Sequence, residues 1–424
     1  MNRETLIQVG VLYGPLVMAG LLTVWLRPGR RLAIGLLFST VWQAAMLPWF
    51  DLTARALGCW SYQASGPALA GMPLSLYFGW VIAWGWLAPL AATAAGRHWP
   101  LVLAALLAID LWLMPQFEPV LQLADGWWLA DLALFAGLLL PGLMLCRWTH
   151  EDQRLEGRVA LLVGCFGGLL LGLPLLACHP ESGVSAMLAR AIGQPLWIAA
   201  ALLLALPGLA AMRDLARSGK GTPVPIDPTS KLVSHGVYGF VANPMQLSMT
   251  LLLLLESWYL GSFWPLVVAG LGIIYSEGFA RWSEGQDLKD RFGSTWMEYR
   301  ARVRPWLPRW RPAVLDDCEL WVNPDCGPCA SVGRWFEGRR PVGLKLRNAG
   351  DWAVDPMERL TWRHPGSGRC ETGVGAIAMA LQHLSLPWAM AGLIAGAPVL
   401  RPVLQCCFDA AGLGPRKVCT AETG

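Results

Sequence analysis

The chain has 424 residues, of which 55% are hydrophobic and 15% are charged, and its mean hydropathy is +0.43. These values lie far from those of an average soluble domain and exclude a wholly soluble globular protein. The formal net charge of +4 is modest, and the basic residues are scattered over loops instead of lying along one stripe, so we expect no nucleic-acid partner.

Long apolar stretches fill the chain up to about residue 280. A helix that crosses a bilayer needs roughly 20 mainly apolar residues, and on this basis we predict about nine spans. In chain order they cover residues 6–26, 32–50, 74–95, 101–114, 127–146, 159–178, 196–212, 238–255 and 263–280. Basic residues occupy alternate short loops, and the other set of loops holds only Arg55 and Arg190. The positive-inside rule therefore places the basic loops and the C-terminal tail in the cytoplasm, with the protein in the cell inner membrane.

Asp110 lies inside one of these apolar runs. An ionisable side chain there is costly and is expected to face the bundle interior or a polar cavity. The segments GCWSY at 58–62, GMPL at 71–74 and GWW at 126–128 resemble the membrane hydratases of carotenoid biosynthesis. The resemblance implies that Asp110 protonates an alkene. A structural Asp110, hydrogen-bonded to a helix or loop, is the alternative, and Asp131 could equally be a charge at a helix N-terminus.

Four short motifs occur in order between residues 218 and 308. A pair of apolar segments, 247–255 and 263–275, separates the first three from the fourth, so both flanks should lie on the same side of the membrane. The motifs read Gly219-Lys220-Gly221-Thr222-Pro223-Val224-Pro225, Leu232-Val233-Ser234-His235-Gly236-Val237-Tyr238, Ala242-Asn243-Pro244-Met245-Gln246, and then Glu284, Gly285, Leu288, Phe292, Gly293, Trp296, Tyr299 and Val303.

This series resembles the isoprenylcysteine carboxyl methyltransferase family and its phospholipid-methylating relatives. Members of that family carry GxGTPxP, LVxxGxY, an Arg-(His/Asn)-Pro-Met-Tyr-like box, and EExxLxxxFGxxYxxYxxxV. Three positions depart from the pattern, because Ala242 replaces the usual Arg, Gln246 the Tyr and Gly285 the second Glu. The absent Arg could have held a carboxylate in a bidentate fork, so the resemblance speaks more for the cofactor than for the usual substrate.

The resemblance implies a site for S-adenosylmethionine at the cytoplasmic ends of the last helices. Methyl transfer from a sulfonium depends more on positioning than on a strong base, and His235 and Glu284 are the candidate bases if the acceptor is a hydroxyl. Taken singly, His235 with Gly236 could form a plain turn, and Glu284 could be a surface charge. The acceptor should be lipophilic, since a site between membrane helices can admit it from the bilayer. The implied cofactor ligands are His235, Gly236, Tyr238, Asn243, Pro244, Gln246 and Glu284.

A different pattern follows residue 317. Residues 318–322 predict a strand, Cys326 and Cys329 enclose Gly-Pro, a helical pattern runs to Phe336, and residues 342–346 predict a second strand. A Cys-x-x-Cys between strand and helix is typical of thioredoxin-like redox proteins, in which the helix N-terminus stabilises a thiolate.

The C-terminal part resembles the DCC family of thioredoxin-like proteins in its glycines at 368, 373 and 375 and its apolar tail, residues 381–401. The family is named for an Asp-x-x-Cys-x-x-Cys-like start, whereas Asp325 here directly precedes the first cysteine. The resemblance implies that Cys326 attacks and Cys329 resolves. Zinc is the rival, but a structural site wants four ligands. Cys318, His364 and Cys370 could contribute, yet the sequence lacks a second Cys-x-x-Cys, so we expect no metal.

The sequence therefore predicts an all-α polytopic membrane protein of about nine transmembrane helices with a small C-terminal α/β thioredoxin-like domain. Residues 1–212 would form the first bundle of spans, 213–310 the methyltransferase-like part, and 311–424 the soluble domain. The leading hypothesis is an S-adenosylmethionine-dependent methyltransferase acting on a lipophilic acceptor. The alternatives are an isoprenoid-modifying hydratase with Asp110 as its acid, and a membrane-tethered thiol–disulfide oxidoreductase.

Overall fold

The computed structural model describes residues 3–63, 66–178, 193–224, 227–313, 317–352 and 357–415. The chain forms two compact units. The first contains Met1–Ile198 and Leu253–Val268, and the second contains Ala199–Leu252 and Ala269–Gly424. The sequence predicted three domains, covering residues 1–212, 213–310 and 311–424. The two units do not test that division, which stays a prediction.

Long apolar helices dominate the described part of the chain. Seven of them there are long and apolar enough to cross a membrane, which is consistent with a multi-pass membrane protein. Each contains or largely overlaps one of the first seven predicted spans. They are Arg3–Leu26, Arg30–Ala56, Leu74–Ala94, Gly96–Phe117, Trp127–His150, Leu155–Leu176 and Pro195–Gly219.

The eighth and ninth predicted spans also form helices, at Pro244–Leu260 and Trp264–Tyr275. The first has 17 residues, and the second continues through a π-helical turn, Ser276–Ala280, into the helix Arg281–Arg302. Neither is among the seven described helices that are long and apolar enough to cross a membrane. The apolar run near the C-terminus forms two helices, Leu386–Ala395 and Leu400–Phe408, and the bend between the helical segments Leu386–Ala395 and Leu400–Ala411 is 87°.

Glycines let helices of the first unit approach closely. A Cβ on Gly35 would lie 2.6 Å from the carbonyl oxygen of Cys146, and one on Gly79 would lie 2.3 Å from that of Val11. Small residues at such contacts are typical of packed membrane helices. Two short antiparallel sheets complete this unit, pairing β1 (Trp60–Tyr62) with β4 (Leu121–Leu123) and β2 (Ala68–Leu69) with β3 (Met72–Pro73).

The second unit contains a four-stranded sheet in the order β6-β5-β7-β8. Its strands are β5 (Cys318–Val322), β6 (Leu344–Asn348), β7 (Thr361–His364) and β8 (Arg369–Thr372). β5 runs parallel to β6 and antiparallel to β7, and β7 is antiparallel to β8. A parallel pair needs a crossover, which here includes the helix Gly327–Glu337. The first predicted strand is thus confirmed, and the second is confirmed with a shift of two residues.

The core of this sheet explains why the pattern folds this way. Strand residues alternate between two faces, and Leu320 and Trp362 are fully buried on neighbouring strands. Phe336 from the crossover helix joins the same apolar cluster, as do residues of the helix Val374–Leu381. The side chains Leu320, Phe336 and Trp362 therefore hold the helices on the sheet.

Candidate functional site

A cavity of about 330 Å³ lies in the second unit. Two sequence segments build it, one from Leu215 to Gln246 and the other from Ser283 to Tyr299. These segments are the two motif-bearing flanks that the sequence analysis placed on the same side of the membrane. The cavity is the candidate functional site because it joins Tyr238 and Asn243 from the first flank with Glu284 from the second.

The first wall is a loop held by hydrogen bonds within the chain. Thr222 Oγ1 donates to the carbonyl of Asp227 at 2.9 Å, and the Ser230 amide donates to the carbonyl of Gly219 at 2.8 Å. A Cβ on Gly221 would lie 2.4 Å from the Cα of Thr229. Glycine is thus required at residue 221 by the close approach of two backbones.

The second wall is the helix Arg281–Arg302. Glu284, Asp287, Leu288 and Arg291 line the cavity, and their spacing of three, four and seven residues puts them on one helix face. At Gly293 the backbone leaves helical geometry, with φ 53° and ψ −127°. The helix bends there, and Trp296 and Tyr299, beyond the bend, line the same cavity.

Hydrogen bonds join the two flanks directly. Tyr299 Oη donates to the carbonyl of Tyr238 at 2.9 Å, and both residues are buried. The amide of Ala242 donates to the carbonyl of Arg304 at 2.9 Å. The Ala242 side chain packs against an apolar cluster that contains Tyr299 and Val303. The position at which the family has an arginine is therefore part of an apolar contact.

Two polar atoms of the cavity wall are buried without a hydrogen-bond partner among the described residues. They are Tyr238 Oη and Gln246 Oε1. A buried polar group that lacks a partner costs about 1–3 kcal/mol, and a ligand in the cavity would supply one. A phenol can donate, and the amide oxygen accepts. These atoms indicate that the cavity suits a molecule carrying polar groups of both kinds.

Glu284 is half-buried on this wall. Burial, and secondarily the negative charge of Asp287, raise the pKa of its carboxyl above the ordinary value. A cationic or hydroxyl-bearing ligand would favour the ionised form of Glu284 and oppose that shift. Glu284 is therefore placed as a hydrogen-bond acceptor and a negative charge for a bound ligand.

Four of the predicted cofactor ligands line the cavity and three do not. Tyr238, Asn243, Gln246 and Glu284 are in its wall. Pro244 begins the helix Pro244–Leu260, where the missing amide proton costs nothing. His235 and Gly236 are also absent from the described wall.

His235 instead packs inside the second unit. Only 2% of its surface is exposed, its Nε2 lies 3.1 Å from Ser218 Oγ, and its ring stacks on that of His364 with 4.3 Å between centroids. Burial lowers the pKa of His235 to about 3, although Asp214 acts in the opposite direction. Gly236, with φ +64°, turns the chain towards the carboxylate of Asp214. The imidazole is thus a packing group and is poorly suited as a base for the cavity.

Asp110 lines a separate small cavity in the first unit, of about 30 Å³. Asp131 lines the same cavity, together with Trp80 and Trp84. Two carboxyls in one enclosed site repel each other when both are ionised, which favours a proton on one of them. The space suffices for two or three water molecules by the usual ~10–15 Å³ minimum for one water.

Cys326 and Cys329 line a third cavity, of about 120 Å³, in the second unit. Cys326 is the N-cap of the helix Gly327–Glu337, and both cysteines are partly buried. The other lining residues are mostly apolar and include Leu360 and Phe408. Among the described residues, no three His, Cys, Asp or Glu side chains form a group that could hold a metal ion.

Sequence reasoning did not select Asp287 and Arg291, although both line the main cavity. The available signal was their spacing from Glu284, which places them on its helix face. Comparison of the chain with models of protein families, with curated proteins and with solved structures finds no match.

Proposed function

We propose that the cavity between the two flanks binds S-adenosylmethionine and that the protein methylates a lipophilic acceptor. The observation that carries this proposal is the cavity that joins Tyr238, Asn243 and Glu284. Its volume, about 330 Å³, falls in the range of small-molecule sites. The order and spacing of the motifs over residues 218–308 support the same assignment.

The residues of the wall fit the chemical groups of this cofactor. Glu284 would accept from ribose hydroxyls or the amino group, and Asn243 can both donate and accept. The unpartnered Tyr238 Oη and Gln246 Oε1 would gain hydrogen-bond partners. The rings of Trp296 and Tyr299 would attract a cation through their faces. When bound, S-adenosylmethionine supplies a methyl group on a positively charged sulfur.

The protein would contribute positioning and exclusion of water. Contacts from both walls of the cavity would keep a ligand in one orientation. Orientation alone can supply a large share of a rate enhancement. A carboxylate, thiolate or amine acceptor would need no base. For a hydroxyl acceptor, Glu284 is the candidate base, since its raised pKa makes it a stronger base than an exposed carboxylate.

We also propose that the site lies on the cytoplasmic side of the inner membrane, on the basis of the Lys and Arg bias in the loops.

Calorimetric titration of S-adenosylmethionine into the detergent-purified full-length protein tests this proposal. We expect saturable binding that weakens at least about tenfold in Glu284→Gln, which loses a charge-assisted hydrogen bond. Glu298→Gln is the matched control, because Glu298 lies on the same helix, is 53% exposed and is outside the described cavity wall. Absence of binding by the wild-type protein would refute the proposal.

We propose a thioredoxin-like role for residues 311–424. The support is the parallel β5–helix–β6 unit with antiparallel β7 and β8, and the position of Cys326 at the helix N-terminus, where a thiolate is stabilised. In dithiol–disulfide exchange, Cys326 would attack and Cys329 would release the partner as a thiol. Equilibration with glutathione buffers should reveal a two-electron couple that Cys329→Ser abolishes. A pair that stays reduced throughout would refute this role.

The Asp110–Asp131 pair favours a second candidate function, hydration of an alkene. The shared proton would add to a double bond, water would add to the resulting cation, and the proton that this water loses would return to the pair. Trp80 and Trp84 in the same wall could stabilise the cation. This candidate predicts that Asp110→Asn abolishes hydration of an isoprenoid substrate while S-adenosylmethionine binding is absent from the wild-type protein.

A further inference from the structure

The charges of the main cavity lie on a single helix face. Among the described lining residues, the charged ones are Glu284, Asp287 and Arg291. Arg291 follows Glu284 by two helical turns, which separates the two positions by about 10 Å along the axis. The cavity therefore has a negative group at one level and a positive group at another.

Arg291 is fixed in place. Its Nε donates to Asp287 Oδ2 at 2.8 Å, and its Nη1 donates to the carbonyl of Thr229 in the opposite wall at 2.5 Å. The side chain is 29% exposed. Its Nη2 also lies 2.5 Å from Asp287 Oδ2. A guanidinium has five N–H donors, so these three contacts leave others for a ligand. Asp287 balances the charge of Arg291, which leaves Glu284 as the net charge of the wall.

We propose that Arg291 binds the carboxylate at the amino-acid end of S-adenosylmethionine, while Glu284 contacts the nucleoside end. This inference rests on the proposed function and adds the orientation of the ligand. The cofactor is elongated, with the carboxylate at one end and the ribose hydroxyls towards the other, which suits two groups that are two turns apart. Ala242 cannot bind an anion, and Arg291 is the one cation among the described lining residues.

The net charges agree with this orientation. A bound S-adenosylmethionine has a sulfonium, an ammonium and a carboxylate, and so carries one net positive charge. The described wall has one net negative charge, from Arg291, Asp287 and Glu284. An analogue without the carboxylate would leave the remaining donors of Arg291 unused, and its ammonium would lie near the guanidinium with no negative charge between them. The carboxylate should therefore be required for tight binding.

The test compares two ligands, S-adenosylmethionine and its decarboxylated analogue, by calorimetry on the full-length protein in detergent. We expect the wild-type protein to prefer S-adenosylmethionine by at least about tenfold. Arg291→Gln should weaken S-adenosylmethionine by a similar factor without weakening the analogue, so that the preference disappears. Arg291→Lys should keep part of the preference, because it retains the charge but not the fork.

Arg281→Gln is the matched control. Arg281 is the first residue of the same helix. It pairs with Glu277, four residues before it, at 3.0 Å, and its side chain is 66% exposed. We expect it to leave both affinities unchanged. If wild-type protein binds both ligands and Arg291→Gln changes their affinities equally or not at all, the inference is overturned and the proposed function stands. If the wild-type protein binds neither ligand, both fail.

Discussion

At the scale of single residues, Glu284 carries the largest share of the proposed chemistry. It is the one acidic side chain of the described cavity wall apart from Asp287, which is occupied by Arg291. Burial raises the pKa of its carboxyl, so the protein destabilises the charged form when the cavity holds no cation. A cationic ligand would reverse part of this effect, which links ligand binding to release of a proton.

This linkage predicts a pH-dependent affinity. The pKa of Glu284 in the ligand-free protein lies above its ordinary value, and ligand binding should lower it, so binding is strongest where Glu284 is already ionised. Affinity for S-adenosylmethionine should fall as the pH decreases through that raised pKa, at a higher pH than an exposed glutamate would show. Dissociation constants measured between about pH 5 and 8 check this prediction. Proteins are usually most stable in that pH range. Glu284→Gln should flatten the profile, and an identical slope in both proteins would contradict the linkage.

His235 shows what a motif leaves undetermined. It lies three residues before Tyr238 in a motif that the family resemblance assigns to the cofactor site. In the structure, Gly236 adopts a positive φ and a short 3-10 turn follows, Gly236–Gly239. The turn sends Tyr238 into the cavity wall and leaves His235 against His364. The motif thus includes a residue that lines the cavity, Tyr238, but motif order alone does not predict that His235 points away from it.

At the scale of elements, the bend in the helix Arg281–Arg302 shapes the second wall. Residues before Gly293 present Glu284 and Arg291, and residues after it present Trp296 and Tyr299. In a straight helix, Glu284 and Trp296 would be about 18 Å apart along the axis, at 1.5 Å for each residue. The bend allows both to reach one compact cavity.

Two glycines of this helix give a matched test of the bend. Neither Gly285 nor Gly293 has an atom within 4 Å of an added Cβ, but only Gly293 has φ +53°. Gly293→Ala should therefore destabilise the protein by about 1–3 kcal/mol through backbone strain and weaken S-adenosylmethionine. Gly285→Ala should be neutral or stabilise by up to about 1 kcal/mol, because alanine favours the helix. Thermal unfolding and calorimetry of both variants check this, and equal effects would argue against a strained bend.

Elements with a local signal were predictable from the sequence. The first seven apolar helices and the strand Cys318–Val322 follow from hydrophobic runs and alternation. The pairing of the two flanks was inferred from motif order and from the pair of apolar segments between them. The bonds that join the flanks, such as Tyr299 to the carbonyl of Tyr238, leave no local pattern, since the partners are far apart in sequence. The role of Arg291 in the cavity wall likewise leaves no local pattern, because in the sequence it looks like any arginine on a helix surface.

At the scale of the whole molecule, a buried ionic network joins distant segments of the second unit. Arg369 on β8 donates to Asp214 Oδ1 at 2.6 Å, with side-chain exposures of 6% and 0%. Arg369 also contacts Glu371 at 3.2 Å, and Arg401 donates to Glu371 at 2.7 Å. Asp214 lies near the end of the apolar helix Pro195–Gly219, directly before Leu215 of the cavity wall.

Through Arg369 and Asp214, this network connects the C-terminal sheet to the segment at Leu215 that lines the cavity. Lys231, in the loop of the first wall, adds a contact, since its Nζ donates to the carbonyl of Gly366 at 3.1 Å. Arg217 likewise lies 3.4 Å from Glu371. The fused C-terminal part thus has a structural relation to the cavity whether or not its cysteines exchange disulfides. Loss of the buried pair should disturb both the sheet and the cavity.

Arg369→Ala should be among the most destabilising substitutions in this unit. It leaves the buried carboxylate of Asp214 without its hydrogen-bonded cation, since Arg213 Nε lies 3.8 Å from Oδ1, and breaking a buried pair in this way costs about 3–5 kcal/mol. The control is Arg347→Ala, because Arg347 pairs with Glu319 at 3.3 Å but is 49% exposed, and an exposed pair contributes about 0–1 kcal/mol. Thermal unfolding in detergent should show a much larger decrease for the first variant.

A double substitution separates the cost of the lone charge from the value of the pair. Asp214→Leu with Arg369→Met removes both ionic groups and fills similar volume, and such replacements are often neutral or stabilising. We therefore expect it to unfold at a higher temperature than Arg369→Ala, and to restore affinity for S-adenosylmethionine if the cavity depends on this packing. If the double variant is as unstable as Arg369→Ala, the instability of the single variant does not come from the unpaired charge of Asp214 alone. In that case the ion pairs themselves would hold the C-terminal sheet against the segment that lines the cavity.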